Sequence, residues 1–145
     1  IFDLYKKIWN KRKVLIVEGR YTRMGIGNDL FENAADIKRI ICPSENAWSC
    51  YERIFDKAQK IGKEENRLIC ITLGPAATVL AYDLGKAGIQ AIDIGQLDNE
   101  YEWYLQGVQE RTEIKGKMVA EIKRHMKPEE CICKEYNSQI LYEIR

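Results

Sequence analysis

The sequence lacks several features that would point directly to a function. Its one histidine, His125, has no evident serine, cysteine or acidic partner, so neither a Ser-His-Asp nor a Cys-His catalytic group can be proposed. The formal net charge is +1 and no polybasic block occurs, which argues against a protein that binds nucleic acid or a membrane surface. Every long apolar stretch is only the length of a strand, and therefore no transmembrane segment or signal peptide is expected.

The five cysteines form no recognisable metal-binding pattern. Cys131 and Cys133 stand in a C-x-C arrangement, but no second pair of cysteine or histidine residues lies near them, so a zinc site is not expected. Cys42 and Cys70 lie in apolar runs, where a thiol packs as a small hydrophobic side chain. Reduced thiols of this kind are typical of a cytosolic protein, and we therefore expect a cytoplasmic location.

The chain length and the order of its apolar runs predict a single α/β domain over residues 1–145. A chain of 145 residues can bury about 68–70% of its unfolded surface, which is enough for one core. Short runs rich in β-branched residues alternate with helical patterns, and short connections join them. We expect a Rossmann-like three-layer sandwich with a mostly parallel sheet and the last strand at an edge; the predicted strands are 13–19, 37–43, 67–74, 90–95 and 138–145.

Helical spacing and capping residues predict the connecting helices. A short helix is expected from about Asn28, after a glycine-containing loop. A longer helix should follow Ser44, a good N-cap, and should end at Gly62. A third should start at Pro75, which suits the first turn of a helix, and residues 100–107 form a fourth helical pattern. In a sheet of this kind ligands bind beyond the carboxyl ends of the strands, which selects the loops 18–28, 43–46, 73–77 and 93–100.

The first of these loops carries glycine and arginine. Gly25 and Gly27 permit close approach of the backbone to a phosphate, and Arg20 and Arg23 supply cations suited to its oxygens. A turn with solvated arginines explains the same residues. A dinucleotide site is not expected, because Leu30 occupies the position of the third glycine of that fingerprint.

The loop after the third strand offers a second helix start. Gly74 and Pro75, with the hydroxyl groups of Thr72 and Thr78, fit either a cradle for a phosphate or a base, or ordinary helix capping.

Acidic residues concentrate after the fourth strand. Asp98 and Glu100 are two residues apart, so in an extended or turn conformation both side chains could meet one divalent cation. Alternatively, Asp98 is the N-cap of the following helix and Glu100 favours its positive end. Asp93, at the strand end, fits a structural hydrogen-bond partner, and Glu102 fits a charge near the helix start.

Two long strings carry a family resemblance. The segments KVLIVEGRYTRMGIGNDLFENAADIKRIICPSENAW and TLGPAATVLAYDLGKAGIQAIDIGQLDNEYEW are similar to the bacterial GT-D glycosyltransferase family, whose hallmark is a D-x-E motif. Here that motif reads Asp98-Asn99-Glu100, and the resemblance covers residues 1 to about 125. The family domain begins upstream of Ile1, so this chain resembles its carboxyl-terminal half and is expected to lack an amino-terminal portion.

The resemblance implies a nucleotide-sugar-dependent transferase with a Rossmann-like fold. It implies transfer of a hexose, with glucose as the expected sugar, from a UDP-sugar to a bacterial surface glycan or glycoprotein acceptor. It further implies a Mn²⁺ or Mg²⁺ ion held by Asp98 and Glu100, which are also the expected catalytic residues. The residues implied in donor binding are Arg20, Arg23, Gly25, Gly27, Gly74, Pro75 and Ala76.

Two other functions remain open from the residues alone. One is a non-catalytic α/β module that binds a nucleotide or phosphate. The other is a small oxidoreductase, which the broken glycine fingerprint disfavours.

Overall fold

A computed structural model describes residues 1–118 and 133–145 of the chain. Its centre is a sheet of five parallel strands in the order β4-β3-β1-β2-β5, which confirms the predicted α/β class and the edge position of the last strand. His125 and Cys131 lie outside the described residues. The strands are β1 (Lys13–Gly19), β2 (Asp36–Cys42), β3 (Leu68–Thr72), β4 (Ala91–Asp93) and β5 (Ile140–Glu143).

Helices cover both faces of the sheet and complete the three layers. β1 is buried on both sides, as expected for a central parallel strand: Leu15 and Val17 face one core, and Val14 and Ile16 face the other. The first core is closed by α2 and α3, and the second by α1, α4 and the loop after β1. The helices are α1 (Phe2–Trp9), α2 (Tyr51–Glu65), α3 (Ala76–Lys86), α4 (Leu97–Gln106) and α5 (Lys134–Gln139), with a 3₁₀ turn at Ala47–Cys50.

The strand order places a switch point at the centre of the sheet. The chain passes from β1 to β2 on one side and then returns to β3 on the other side of β1. The loops that follow β1 and β3 therefore diverge and leave a crevice at their carboxyl ends, where doubly wound sheets bind ligands. Within the described ranges, no helix is both long and apolar enough to cross a membrane.

The helix predicted from about Asn28 is wrong. Residues 20–35, all of which are described, form turns. The Asn28 side chain accepts a hydrogen bond from the Leu30 N–H (2.9 Å), a local bond that competes with helix formation. Its amide group also reaches two carboxylates on α4, so a tertiary contact fixes the turn.

The predicted ends of the second helix also differ from the structure. Ser44 does not cap it, because the 3₁₀ turn begins only at Ala47. Gly62 does not end it, since α2 continues to Glu65 and ends at Asn66, whose φ of 52° is left-handed. A Cβ atom at Gly62 would lie 2.9 Å from the Ile89 Cγ2 atom. The glycine therefore permits close packing inside the helix.

Candidate functional site

A cavity of about 820 Å³ occupies the carboxyl ends of the strands. Its volume falls within the usual range of small-ligand sites. Residues from all four loops selected by the strand-end rule line it. The lining comprises Gly19, Arg20 and Thr22 at and after the end of β1, Pro43 to Trp48 after β2, Thr72 to Ala76 and Val79 around the start of α3, Asp93, Gly95, Gln96, Asp98 and Asn99 at and after the end of β4, and Met118.

The residues expected to bind the donor divide into two groups. Gly74, Pro75 and Ala76 line the cavity, and so does Arg20, whose guanidinium lies 3.7 Å from the carboxylate of Glu143. The uncapped start of α3 thus borders the cavity with its N-terminal end. The second group consists of Arg23, Gly25 and Gly27. None of these three belongs to the described residues that line the cavity.

The second group has structural contacts of its own. Arg23 is buried and donates a hydrogen bond to the Gly116 carbonyl (2.8 Å). The Gly25 N–H donates to the Asp98 carboxylate (2.8 Å), and the preceding Met24 N–H donates to the Glu18 carboxylate (2.7 Å). The backbone of this loop therefore donates to carboxylates of the protein itself, and binding of a phosphate by Gly25 and Gly27 stays a prediction.

Asp98 is buried in the first turn of α4 and forms three hydrogen bonds. Its Oδ1 atom accepts from the Gly25 N–H and from the Asn28 amide (2.9 Å), and its Oδ2 atom accepts from the Lys117 ammonium (2.6 Å). Glu102, one helical turn later, accepts from the same amide (2.7 Å) and the same ammonium (3.3 Å). The carboxylate that lies beside Asp98 is therefore Glu102.

The side chain of Glu100 is exposed, whereas that of Asp98 is buried, so the two side chains point to different sides of the helix. Both residues lie within α4, where a spacing of two residues corresponds to about 200° around the axis. The expectation that the two side chains point the same way assumed an extended or turn backbone, and the helix removes that premise. Asp98 itself is the second residue of the helix and Gln96 is the N-cap.

Whether a divalent cation can bind here depends on the oxygen atoms that line the cavity. Asp98 lines the cavity and offers the hard carboxylate oxygens that Mg²⁺ and Mn²⁺ prefer. Asp98, Glu102 and Lys117 together carry a formal charge of −1, which favours a cation. Over residues 1–118 and 133–145 there is no group of three or more His, Cys, Asp and Glu side chains that could hold a metal ion. Of the two predicted ligands, Asp98 lines the cavity and Glu100 does not, and both oxygens of Asp98 already accept hydrogen bonds from the protein.

Asp93 is a further carboxylate on the cavity wall and is exposed. Its two oxygens accept hydrogen bonds from the Thr78 hydroxyl (2.9 Å) and the Gly95 N–H (3.0 Å). These bonds tie the end of β4 to α3, which is the structural role expected for this residue. They also leave the carboxylate at the edge of the cavity.

A buried ion pair beneath the loop was missed by sequence reasoning. Glu18 and Arg39 are both fully buried and lie 2.7 Å apart, and Arg39 also donates to the Met24 carbonyl (2.9 Å) and the Gln139 side chain (2.7 Å). Burial raises the pKa of Glu18, while the Arg39 guanidinium and the Met24 N–H oppose that rise. The available signal was an acid near the end of one apolar strand, Glu18 in KVLIVEG, and a base in the next strand, Arg39 in DIKRIIC.

The structure is therefore that of a doubly wound α/β protein with a cavity of small-ligand size at the strand ends. The chain belongs to the family described as Glycosyltransferase GT-D fold, whose model matches residues 1–122. This finding confirms the family resemblance inferred from the sequence.

Three relatives are similar to this chain over most of its length. It is 47% identical over 120 residues to "Probable glycosyl transferase Gly" of Streptococcus gordonii, covering 83% of this chain and 17% of that protein. It is 44% identical over 144 residues to "Glycosyltransferase GlyD" of Streptococcus pneumoniae serotype 4, covering 99% of this chain and 17% of that protein. A solved structure of the domain of unknown function 1792, described as having a distinct glycosyltransferase fold, matches with a TM-score of 0.94 and 43% identity, covering 99% of this chain and 51% of that one.

Proposed function

We propose that this chain forms the donor-binding part of a metal-dependent glycosyltransferase. The enzyme would move a hexose, with glucose the first to test, from a UDP-sugar to a bacterial surface glycan or glycoprotein acceptor. One observation carries the proposal: a cavity of about 820 Å³ lies at the strand ends of a GT-D family member, with Asp98 of the D-x-E motif in its wall.

The cavity wall offers complementary groups for a nucleoside diphosphate. Arg20 contributes a guanidinium that suits phosphate oxygens, and its side chain keeps 34% of its surface exposed. The start of α3 adds backbone N–H groups and the positive end of a helix dipole. Gly74 has a φ of +58° and nothing within 4 Å of the place where a Cβ atom would stand, so a ligand can approach its backbone closely.

A divalent cation, Mn²⁺ or Mg²⁺, is part of this proposal. Asp98 would hold it from the cavity wall, and Glu100, which is exposed and outside the cavity lining, would contribute through water. When bound, the ion would neutralise the charge that develops on the diphosphate leaving group.

The acceptor hydroxyl must also lose a proton. Asp98 and Glu100 are the carboxylates we expect to serve catalysis, but both oxygens of Asp98 already accept hydrogen bonds, one of them from the Lys117 ammonium. The exposed carboxylate of Asp93 on the cavity wall is a third candidate base.

Calorimetry with UDP tests the proposal. The chain, freed of metal with a chelator, is titrated with UDP in the presence and absence of Mn²⁺. We expect Mn²⁺ to strengthen binding, and Asp98→Asn to remove that effect while leaving the circular dichroism spectrum unchanged. Comparison of Glu100→Gln with Glu102→Gln shows which of these two carboxylates is needed, beside Asp98, for Mn²⁺ to strengthen UDP binding. Glu64→Gln, an exposed acid on α2 outside the cavity lining, is the matched control. UDP binding that is indifferent to Mn²⁺ and to Asp98→Asn would refute the proposal.

A non-catalytic nucleotide-binding module is the second candidate. The chain spans 51% of the solved relative and 17% of the two curated relatives, so parts needed for transfer can lie outside it. Binding of UDP without hydrolysis of UDP-glucose would favour this candidate. Hydrolysis of UDP-glucose that Asp98→Asn abolishes would favour the transferase.

A further inference from the structure

Trp48 is an unusual residue on the cavity wall because much of its side chain remains in water. It is 56% exposed, whereas the other two tryptophans, Trp9 and Trp103, are 0% and 8% exposed. A large aromatic side chain would gain free energy by burial. Single exposed apolar residues are common on protein surfaces, but this one borders the cavity proposed to bind a nucleotide sugar.

The indole ring of Trp48 is supported by the ring of Tyr51. Trp48 lies in the 3₁₀ turn Ala47–Cys50 directly after β2, and its ring packs against the Tyr51 ring with a centroid distance of 4.7 Å. The Tyr51 hydroxyl donates a hydrogen bond to the Asp83 carboxylate on α3. Burial and the Asp83 carboxylate raise the pKa of Tyr51, so the hydroxyl keeps its proton for this bond. The support is therefore anchored to a second element of the fold.

Polar groups next to Trp48 suit the edge of a nucleobase. Ser44 and Asn46 line the same part of the cavity and can donate and accept hydrogen bonds. Asn46 has a left-handed backbone, with φ of 51° and ψ of 47°, at the residue just before the 3₁₀ turn that carries Trp48. Arg20 and the start of α3, which suit phosphate, line the same cavity.

We propose that Trp48 is the platform on which the nucleobase of the donor stacks. The loop Pro43–Trp48 then contacts the base, and Arg20 and the start of α3, which line the same cavity, contact the diphosphate. Stacking of a base on an aromatic side chain contributes about 1–3 kcal/mol, because every base has a π face. This inference rests on the proposed function, since it specifies which part of the nucleotide sugar each part of the cavity contacts.

Tryptophan fluorescence measures this contact directly. Excited at 295 nm, where uracil absorbs little, the chain is titrated with uridine, UDP, inorganic diphosphate and glucose 1-phosphate. We expect uridine and UDP to quench the emission of the exposed tryptophan, and diphosphate and glucose 1-phosphate to leave it unchanged. Trp48→Phe should abolish the quenching but keep UDP binding within a few-fold by calorimetry, because phenylalanine still stacks.

Truncation supplies the second measurement. Trp48→Ala should weaken UDP binding by about tenfold or more and leave diphosphate binding unchanged. Tyr82→Ala is the matched control, since Tyr82 is 66% exposed on α3 but does not belong to the cavity lining. Trp103→Phe should retain the quenching, which assigns the signal to Trp48.

Two outcomes would overturn the inference alone. One is UDP binding by Trp48→Ala as tight as that of the unchanged chain. The other is equal quenching by UDP and glucose 1-phosphate, which would make the ring a platform for the sugar. Failure of the unchanged chain to bind UDP under any condition would overturn the proposed function as well.

Discussion

Replacing Lys117 with methionine should destabilise the fold strongly for a single change at the end of a loop. The Lys117 side chain is 3% exposed, and its ammonium neutralises the carboxylate of Asp98, whose side chain is 4% exposed. Removing one partner of a buried ion pair costs about 3–5 kcal/mol, because the other charge remains in the interior. Asp98 keeps the Gly25 N–H and the Asn28 amide, and Glu102 at 14% exposure can turn toward water, so the lower end applies. We expect a loss of about 3 kcal/mol.

Urea unfolding, which gives the free energy of unfolding, and thermal unfolding, which gives the melting temperature, are both monitored by circular dichroism. With about 2.1 cal/mol/K of unfolding entropy per residue, 145 residues give about 0.3 kcal/mol/K, so the melting temperature should fall by about 10 °C. Lys115→Met is the matched control, because Lys115 is exposed two residues away and should change stability by less than about 0.5 kcal/mol. The double variant Lys117→Met with Asp98→Asn should recover part of the loss, since the deeply buried Asp98 charge is then gone and the carboxylate that still lacks the ammonium, Glu102, is 14% exposed and can turn toward water. Equal effects of Lys117→Met and Lys115→Met, or strict additivity in the double variant, would refute the reasoning.

Two further predictions concern the loop and the thiols. Gly25→Ala should lower the free energy of unfolding by about 2 kcal/mol or more, because its φ is +80° and a Cβ atom would lie 2.8 Å from the Phe31 Cδ2 atom. Gly27→Ala, at a φ of +82° with open space around it, should cost only about 1–2 kcal/mol in urea unfolding, and equal costs would contradict the steric reasoning. Burial raises the pKa of Cys70 to about 12 and that of Cys42 still further. Neither thiol should therefore react with iodoacetamide at pH 8 until urea is added. Rapid alkylation of either cysteine in the native chain, measured by peptide mass spectrometry, would contradict this expectation.

The strands could be predicted from the sequence because their signal is local. The run KVLIVEG is apolar, β-branched and ended by glycine, and β1 has the same bounds, Lys13–Gly19. The run at 90–95 gave the position of β4, although only Ala91–Asp93 pairs with β3. Helix ends were less predictable, as Gly62 demonstrates. A glycine that stops a helix and one that permits close packing look alike until the partner, here Ile89, is known.

The location of the site could also be predicted, but most of its contacts could not. The strand-end rule depends only on the order of strands and helices, and residues from all four selected loops line the cavity. The partners of Asp98 come from 70 residues upstream, at Asn28, and 19 residues downstream, at Lys117. No local pattern links such distant positions. Arg23 has the side chain of a phosphate ligand, yet it is buried and bonded to the Gly116 carbonyl.

The loop after β1 determines where the acid of the D-x-E motif lies. Adjacent N–H groups of Met24 and Gly25 bind two different carboxylates, Glu18 at the end of β1 and Asp98 at the start of α4. Because Arg39 holds the Met24 carbonyl from β2, the loop cannot shift without breaking buried hydrogen bonds. Asp98 is therefore fixed relative to the central strands before any ligand enters the cavity. This arrangement suits the function that we propose, since preorganised groups need no rearrangement during the reaction.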